Sequence, residues 1–173
     1  LAELDDQNIS AKAKTYLERI EVSAKRMQTL IQDLLTYSRT NSAERVFVKT
    51  NLDEIVEEVI MDFSERIEEK KAVIELHPLG EGTVMPFQFR QLLHNLIGNA
   101  LKFSRKDVPP EIQVKARRVV GHKLNFKVDY PNKIYLCLRI ADNGIGFDDE
   151  YKERIFEVFQ RLNTESEFSG TGI

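Results

Sequence analysis

Four short stretches of the 173-residue chain carry residue types and spacings that could do chemistry. In HNLIGNALKFS (94–104), Asn95 and Asn99 stand one helical turn apart, with Lys102 following. Asn costs a helix interior roughly 0.6 kcal/mol relative to Ala, so two of them call for a use. An amide oxygen can ligate a hard cation, and a lysine ammonium can reach a phosphate. In ADNGIGF (141–147), the Asp142 carboxylate can accept a hydrogen bond from an exocyclic amino group. Gly144 and Gly146 let the backbone turn sharply and approach a flat ring. RIFEVFQRL (154–162) offers Phe156, Phe159 and Arg161, most simply two core anchors and a surface charge. SGTGI (169–173) offers glycines able to cradle phosphates at a helix start. Taken singly, each has a plain alternative: an exposed Asn-rich flank, a glycine turn after a strand, a core helix, a loop.

The elements that must position these residues are legible from periodicity. At ~100° per residue, Phe89, Leu92, Leu93, Leu96, Ile97, Ala100 and Leu101 fill one half of a helix beginning near Phe87. Asn95, Asn99 and Lys102 then form a stripe at the edge of that half, beside the core and along the rim of any cleft between helix and sheet. Asp142 ends a strand in which Ile134, Leu136, Leu138 and Ile140 alternate with polar residues. A second alternating strand carries Ile112, Val114 and Ala116. Each strand has one apolar face, which predicts a sheet covered by helices on one side. The link between them (121–132) is predicted as an extended ribbon whose lysines form a solvated face, with a phosphate or partner site as the alternative.

Upstream, Leu17, Ile20, Ala24, Met27, Ile31, Leu34 and Ser38 are spaced alternately three and four apart. This sustained heptad seam predicts a bundle or dimer helix from about Ser10 to Ser38, with one face of a globular core helix as the alternative and LAELDD before it as the end of a partner helix. TNSAE (40–44) is polar and marks the expected domain boundary. Phe47 and Val48 predict a short strand. Asn51 with Glu54 predicts a capped helix that buries Leu52, Ile55, Val56, Val59, Ile60, Phe63 and Ile67. AVIEL (72–76) reads as a strand and LGEG (79–82) as a turn. The whole is α+β, with helices stacked on a mostly antiparallel sheet.

Composition narrows the function classes. A net charge of −3 argues for no nucleic-acid partner, so any anion site must be built locally. The single cysteine, Cys137, rules out an intrachain disulfide framework and makes an intracellular location the default. No apolar run approaches the ~20 residues of a membrane span, which predicts no membrane contact here. The first residue is Leu, so the chain is expected to be an excised fragment.

Together and in this order, the four stretches resemble the nucleotide-binding domain of sensor histidine kinases, within the wider ATPase family of DNA gyrase, heat-shock chaperones and mismatch-repair proteins. NLIGNALKFS is similar to that family's N box, DNGIG to its first glycine box, IFEVFQR to its F box, and GTGI to the opening of its second glycine box. LIQDLLTYSR (30–39) resembles the second helix of the kinases' dimerisation and phosphotransfer domain. The resemblance implies two domains, a dimerisation and phosphotransfer part over 1–42 and a catalytic ATP-binding part over 43–173. The second would be an α/β sandwich of the histidine kinase/gyrase (GHKL) type, incomplete at its C-terminus.

By the same resemblance Asn99 ligates Mg²⁺, Asn95 lines the phosphate and metal region, and Lys102 contacts the phosphates of ATP. Asp142 recognises the adenine amino group, with Gly144 and Gly146 shaping its turn, and Phe103 lies near the ribose or triphosphate. Phe156 and Phe159 anchor a lid, Arg161 reaches the γ-phosphate, and Gly170, Thr171 and Gly172 bind phosphates. Asn95, Lys102 and Arg161 would act on the transferred group. The implied partners are a second copy through the heptad helix and the receiver domain of a response regulator. The implied location is cytoplasmic, with the intact protein either free or membrane-anchored. The resemblance implies a phosphoaccepting His on the first helix of the bundle, upstream of residue 1; His77, His94 and His122 are poor substitutes that fit ordinary structural roles. The fragment is therefore expected not to autophosphorylate alone. The rival readings are another GHKL-type ATPase and a nucleotide-binding or dimerisation module without catalysis.

Overall fold

The computed structural model describes residues 11–42 and 46–152. These fall into two compact units, one holding α1 (Ala11–Ser42) and residues 148–152, the other residues 46–147. α1 is one uninterrupted helix of 32 residues. It runs on to Ser42, past the expected end at Ser38, because Thr40, Asn41 and Ser42 are weak helix formers without being breakers. Leu17, Ile20, Ala24, Met27 and Ile31 of the heptad seam are all solvent-exposed. LAELDD lies outside the described residues.

In the second unit β1 (Val48–Asn51) leads directly into α2 (Leu52–Asp62). Asn51 caps α2, its Oδ1 accepting the Asp53 N–H at 3.1 Å. Glu54 takes part as the capping-box reading predicts, but it accepts from the Asn51 side-chain amide at 2.9 Å. The helix breaks at Phe63 (φ −102°, ψ 8°) and restarts as α3 (Ser64–Lys70), so two helices carry the apolar face predicted for one. β2 (Val73–Leu76) follows, then β3 (Glu81–Val84), a strand that the sequence did not announce. Only the first half of LGEG stays in the turn. There Asp53 accepts the N–H groups of Leu79 and Gly80 at 2.7 and 3.0 Å, and Leu52 N–H donates to Gly80 O at 3.0 Å.

α4 (Pro86–Lys102) begins with Pro86 in its first turn, where the missing N–H leaves no helix bond unmade. β4 (Glu111–Val120) and β5 (Ile134–Asp142) complete the unit. β1 and β3 form an antiparallel pair, while the larger sheet has the order β2-β4-β5, parallel between β2 and β4 and antiparallel between β4 and β5. One side of that sheet meets the helices. Leu52, Val56 and Val59 of α2, Leu93, Ile97 and Leu101 of α4, and Ile112 and Val114 of β4 are all but fully buried together. Each such side chain contributes about 1.5–3 kcal/mol on burial. Arg90 ties α4 to α2 at the surface, donating to Glu58 at 2.6 Å and Asp62 at 2.7 Å. The α+β architecture and the one-sided sheet thus match the sequence reading.

Two expectations are corrected. The 121–132 link is no extended ribbon: β4–β5 pairing stops at Val120↔Ile134, and the chain turns back through a 3₁₀ turn at Gly121–Lys123. The buried stripe of α4 is also narrower than its apolar residues, since Leu92 and Leu96 are 47% and 38% exposed. The core-facing side centres on Leu93 and Ile97, so Asn95 and Asn99 lie on the outer surface of α4, with those two leucines between them and the core.

Candidate functional site

The end of β5 is built against the end of α4. The Phe103 carbonyl accepts the Ile145 N–H at 3.0 Å, while the Phe103 N–H closes α4 on Asn99 O at 2.8 Å. Gly144 lies between them: a Cβ there would stand 2.7 Å from Phe103 O and 2.6 Å from Asp142 Oδ1. Only glycine permits that approach. Gly146, at φ +66°, supplies the left-handed residue that turns the chain away.

Asp142 is exposed at the strand end, and its Oδ1 accepts the Gly144 N–H at 2.9 Å. A carboxylate so held is fixed in direction yet keeps acceptor capacity on its second oxygen. Lys102 and Phe103 are half-buried, with the lysine ammonium 4.5 Å from the Phe103 ring centroid. Asn99 and Asn95 lie one and two turns back along α4, roughly 6 and 12 Å from Phe103 along the helix axis. Asn95 Oδ1 accepts from Gln91 Nε2 at 3.1 Å, and both asparagines are exposed. The structure therefore brings Asp142, Gly144 and Gly146 together with Phe103 and Lys102 and aligns Asn95 and Asn99 on the same helix. Phe156, Phe159, Arg161, Gly170, Thr171 and Gly172 lie outside the described residues.

Several supporting residues escaped the sequence reading. Asn143 pins β5 to the segment before β4: its Oδ1 accepts the Glu111 N–H at 2.9 Å, and its Nδ2 donates to Pro109 O at 3.1 Å. Arg105 Nε donates to Gly144 O at 3.2 Å. Buried Ser104 donates to Leu101 O at 3.1 Å and accepts from Lys70 Nζ at 2.9 Å, fixing the exit from α4. An Asn beside Gly in DNG is the one signal that pointed to such a turn. The histidines have structural partners or positions: His77 pairs with Glu75 at 2.9 Å, His94 stacks 4.6 Å from Phe63, and His122 sits in the 3₁₀ turn. Among the described residues, no helix is long and apolar enough to cross a membrane.

The chain is similar to known proteins in sequence and in fold. Residues 85–173 match the family described as histidine kinase-, DNA gyrase B- and HSP90-like ATPase. The chain is 32% identical over 161 residues to the phytochrome-like protein Cph1 of Synechocystis, covering 93% of this chain and 20% of that protein. It spans about a fifth of the length of the first curated relatives it matches. Its fold is shared with full-length ShkA, crystallised with AMPPNP, at a TM-score of 0.64 and 23% identity over 95% of this chain and 32% of that one. The histidine kinase ThkA, crystallised with the response regulator protein TrrA, gives 0.60 and 23% over 91% and 42%. The chain belongs to the histidine kinase-, DNA gyrase B- and HSP90-like ATPase family, as an ATP-binding domain of the histidine kinase kind.

Proposed function

We propose that this chain is part of a sensor histidine kinase that binds Mg²⁺-ATP at the junction of α4 and the Asp142 turn. In the full protein the γ-phosphoryl group passes to a histidine and then to a response-regulator aspartate. The observation that carries this reading is the bond from Ile145 N–H to Phe103 O, which holds an exposed carboxylate against the lysine-bearing end of the asparagine helix.

The residues fit such a ligand. Asp142, aimed by the Gly144 N–H, accepts from the adenine amino group. Phe103 lies beside the sugar and phosphates, and Lys102 contacts the phosphates. Asn99 gives one amide oxygen to Mg²⁺ and Asn95 lines the same region. Among the described residues no group of three or more His, Cys, Asp or Glu side chains could hold a metal. A single amide ligand suits a cation whose other ligands are phosphate oxygens and water. When bound, Mg²⁺ neutralises charge on the triphosphate; the protein's own share is positioning and charge complementarity. Arg161 at the γ-phosphate, Phe156 and Phe159 as anchors, and Gly170, Thr171 and Gly172 on the phosphates follow from the sequence resemblance.

The remaining assignments belong to the same proposal. Residues 1–42 pair two copies through the heptad seam, whose exposed Ile20, Met27 and Ile31 offer an apolar stripe for a partner helix. Residues 43–173 form the catalytic domain, and the setting is cytoplasmic. The phosphoaccepting histidine is none of His77, His94 or His122, and a response-regulator receiver is the onward acceptor, a partner supported by the complex of ThkA with the response regulator protein TrrA.

Incubation with γ-labelled ATP, with and without a histidine-bearing dimerisation helix and a receiver domain, tests the reading. Acid-labile label on the added helix and then on the receiver supports it. Phosphate release alone favours another ATPase of the family, and neither outcome favours a non-catalytic module. Phosphohistidine on this chain alone contradicts the assignment of the acceptor.

A further inference from the structure

The loop joining β4 to β5 has a construction that nucleotide binding does not use. Within a chain of net charge −3, residues 117–133 hold five basic side chains, Arg117, Arg118, Lys123, Lys127 and Lys133, against one acid, Asp129. The loop is built, not loose. Gly121 N–H donates to Lys133 O at 2.8 Å, His122 N–H to Pro131 O at 2.7 Å, and Lys133 N–H to Tyr130 O at 3.0 Å. Tyr130 N–H reaches the Tyr135 hydroxyl at 3.3 Å. Gly121 is buried at the centre, where a Cβ would meet Tyr130 O, the Tyr135 ring and Val128, each at 2.9 Å.

Two aromatic side chains of this loop face solvent. Phe126 is 66% exposed and Tyr130 58%, with the Lys133 ammonium 3.9 Å from the Tyr130 ring centroid. Lone exposed apolar residues are ordinary, but two exposed aromatics among lysines, Tyr130 tied by its backbone and by Lys133, are the composition of a binding hot spot with a charged rim. Order already present in the free loop lowers the entropic cost of docking.

We propose that the Gly121–Lys133 loop is a docking surface for an acidic protein segment. Its carboxylates meet Arg117, Lys123 and Lys127, and its apolar side chains pack on Phe126 and Tyr130. Charge complementarity selects an acidic partner. A protein suits the loop better than an anionic membrane does, because a peptide can seat its carboxylates away from Asp129, whereas a continuous anionic surface meets Asp129 along with the lysines. The surface lies at the far end of β5 from Asp142, about 27 Å away at ~3.4 Å per residue, so docking leaves the nucleotide site open.

The test is a titration of the ¹⁵N-labelled chain with a synthetic peptide of alternating Glu and Leu. Amide shift changes are expected to concentrate in 117–134 and to weaken as salt is raised. The double variant Lys123→Glu/Lys127→Glu is expected to bind about 10-fold more weakly, and Phe126→Ala, with every charge kept, about 3-fold more weakly. An unchanged β4 and β5 amide pattern in each variant checks that the fold is retained. Shifts scattered over the chain, equal binding by the double variant, or no effect of Phe126→Ala would each overturn the proposal. So would co-sedimentation with phosphatidylserine vesicles without peptide binding.

Discussion

The carbonyl oxygen of Phe103 and the amide N–H of Ile145 are bonded at 3.0 Å across 42 residues of sequence, and that bond ties the end of α4 to the glycine turn after β5. Every residue assigned to adenine and phosphate within the described part of the chain is positioned by one side or the other of this junction.

Gly144→Ala tests the junction. The new methyl would lie 2.7 Å from Phe103 O and 2.6 Å from Asp142 Oδ1, so backbone must move. Urea unfolding is expected to show a loss of about 1–3 kcal/mol, and nucleotide affinity should fall at the same time. A variant of unchanged stability and affinity would show that the close approach is not needed.

Asp53→Ala removes the acceptor of two backbone N–H groups, those of Leu79 and Gly80, at 2.7 and 3.0 Å. The loop before β3 then loses its tie to α2. A loss of roughly 1.5–3 kcal/mol is expected in denaturant unfolding, as for hydrogen bonds to a charged group. Nucleotide affinity should change little, because none of the described site residues lies in this loop or in α2.

Glu75 carries a pH dependence of known sign. The hydrogen bond from Gln113 Nε2, at 2.7 Å, holds its carboxyl below the ordinary glutamate range, with help from His77 and Lys115. The contribution to stability is therefore present above the unfolded-state pKa and is lost as pH falls through the lowered folded value. NMR titration of the Glu75 side chain should give a midpoint below that of an unfolded glutamate, and Gln113→Leu should raise it.

The α1 seam predicts an assembly state. Ile20 and Ile31 are exposed on one stripe, so Ile20→Glu/Ile31→Glu should leave α1 helical by circular dichroism. The same pair of charges should turn a dimer into a monomer in sedimentation equilibrium. A parent chain that is already monomeric at high concentration would remove the dimer from the account.

Much of this was legible in the sequence, for physical reasons that differ by element. The alternation survives in Ile112, Val114 and Ala116 of β4 and in Leu136, Leu138 and Ile140 of β5, which pack on the core and would be turned away by a one-residue slip, but Ile134 departs from it at 67% exposed. α4 begins one residue before the predicted Phe87, where Pro86 sets the first turn. The break at Phe63 was hidden, since the apolar spacing continues through it from Ile60 to Ile67 and gives no sign of the turn. β3 was hidden because EGTV pairs with VKTN, a partner 30 to 36 residues away that no local pattern reveals. The exposure of Leu92 and Leu96 depends on which side of α4 the other elements cover, which a helical wheel does not contain. In the site, Asp142, Gly144, Asn95, Asn99 and Lys102 stood out by type and spacing. Asn143, Ser104 and Lys70 act through partners from 3 to 34 residues away and look like ordinary polar residues in the sequence.

Calorimetric titration of this chain with Mg²⁺-AMPPNP, beside Asp142→Ala and Asn99→Ala, tests whether the nucleotide binds between α4 and the Asp142 turn. Binding by the parent is expected, with at least about a 10-fold loss in Asp142→Ala, the scale of one charged hydrogen bond. Asn99→Ala should weaken binding in the presence of Mg²⁺ and have little effect when the cation is chelated. Equal affinity in the parent and both variants would contradict the assignment of the nucleotide to α4 and the Asp142 turn.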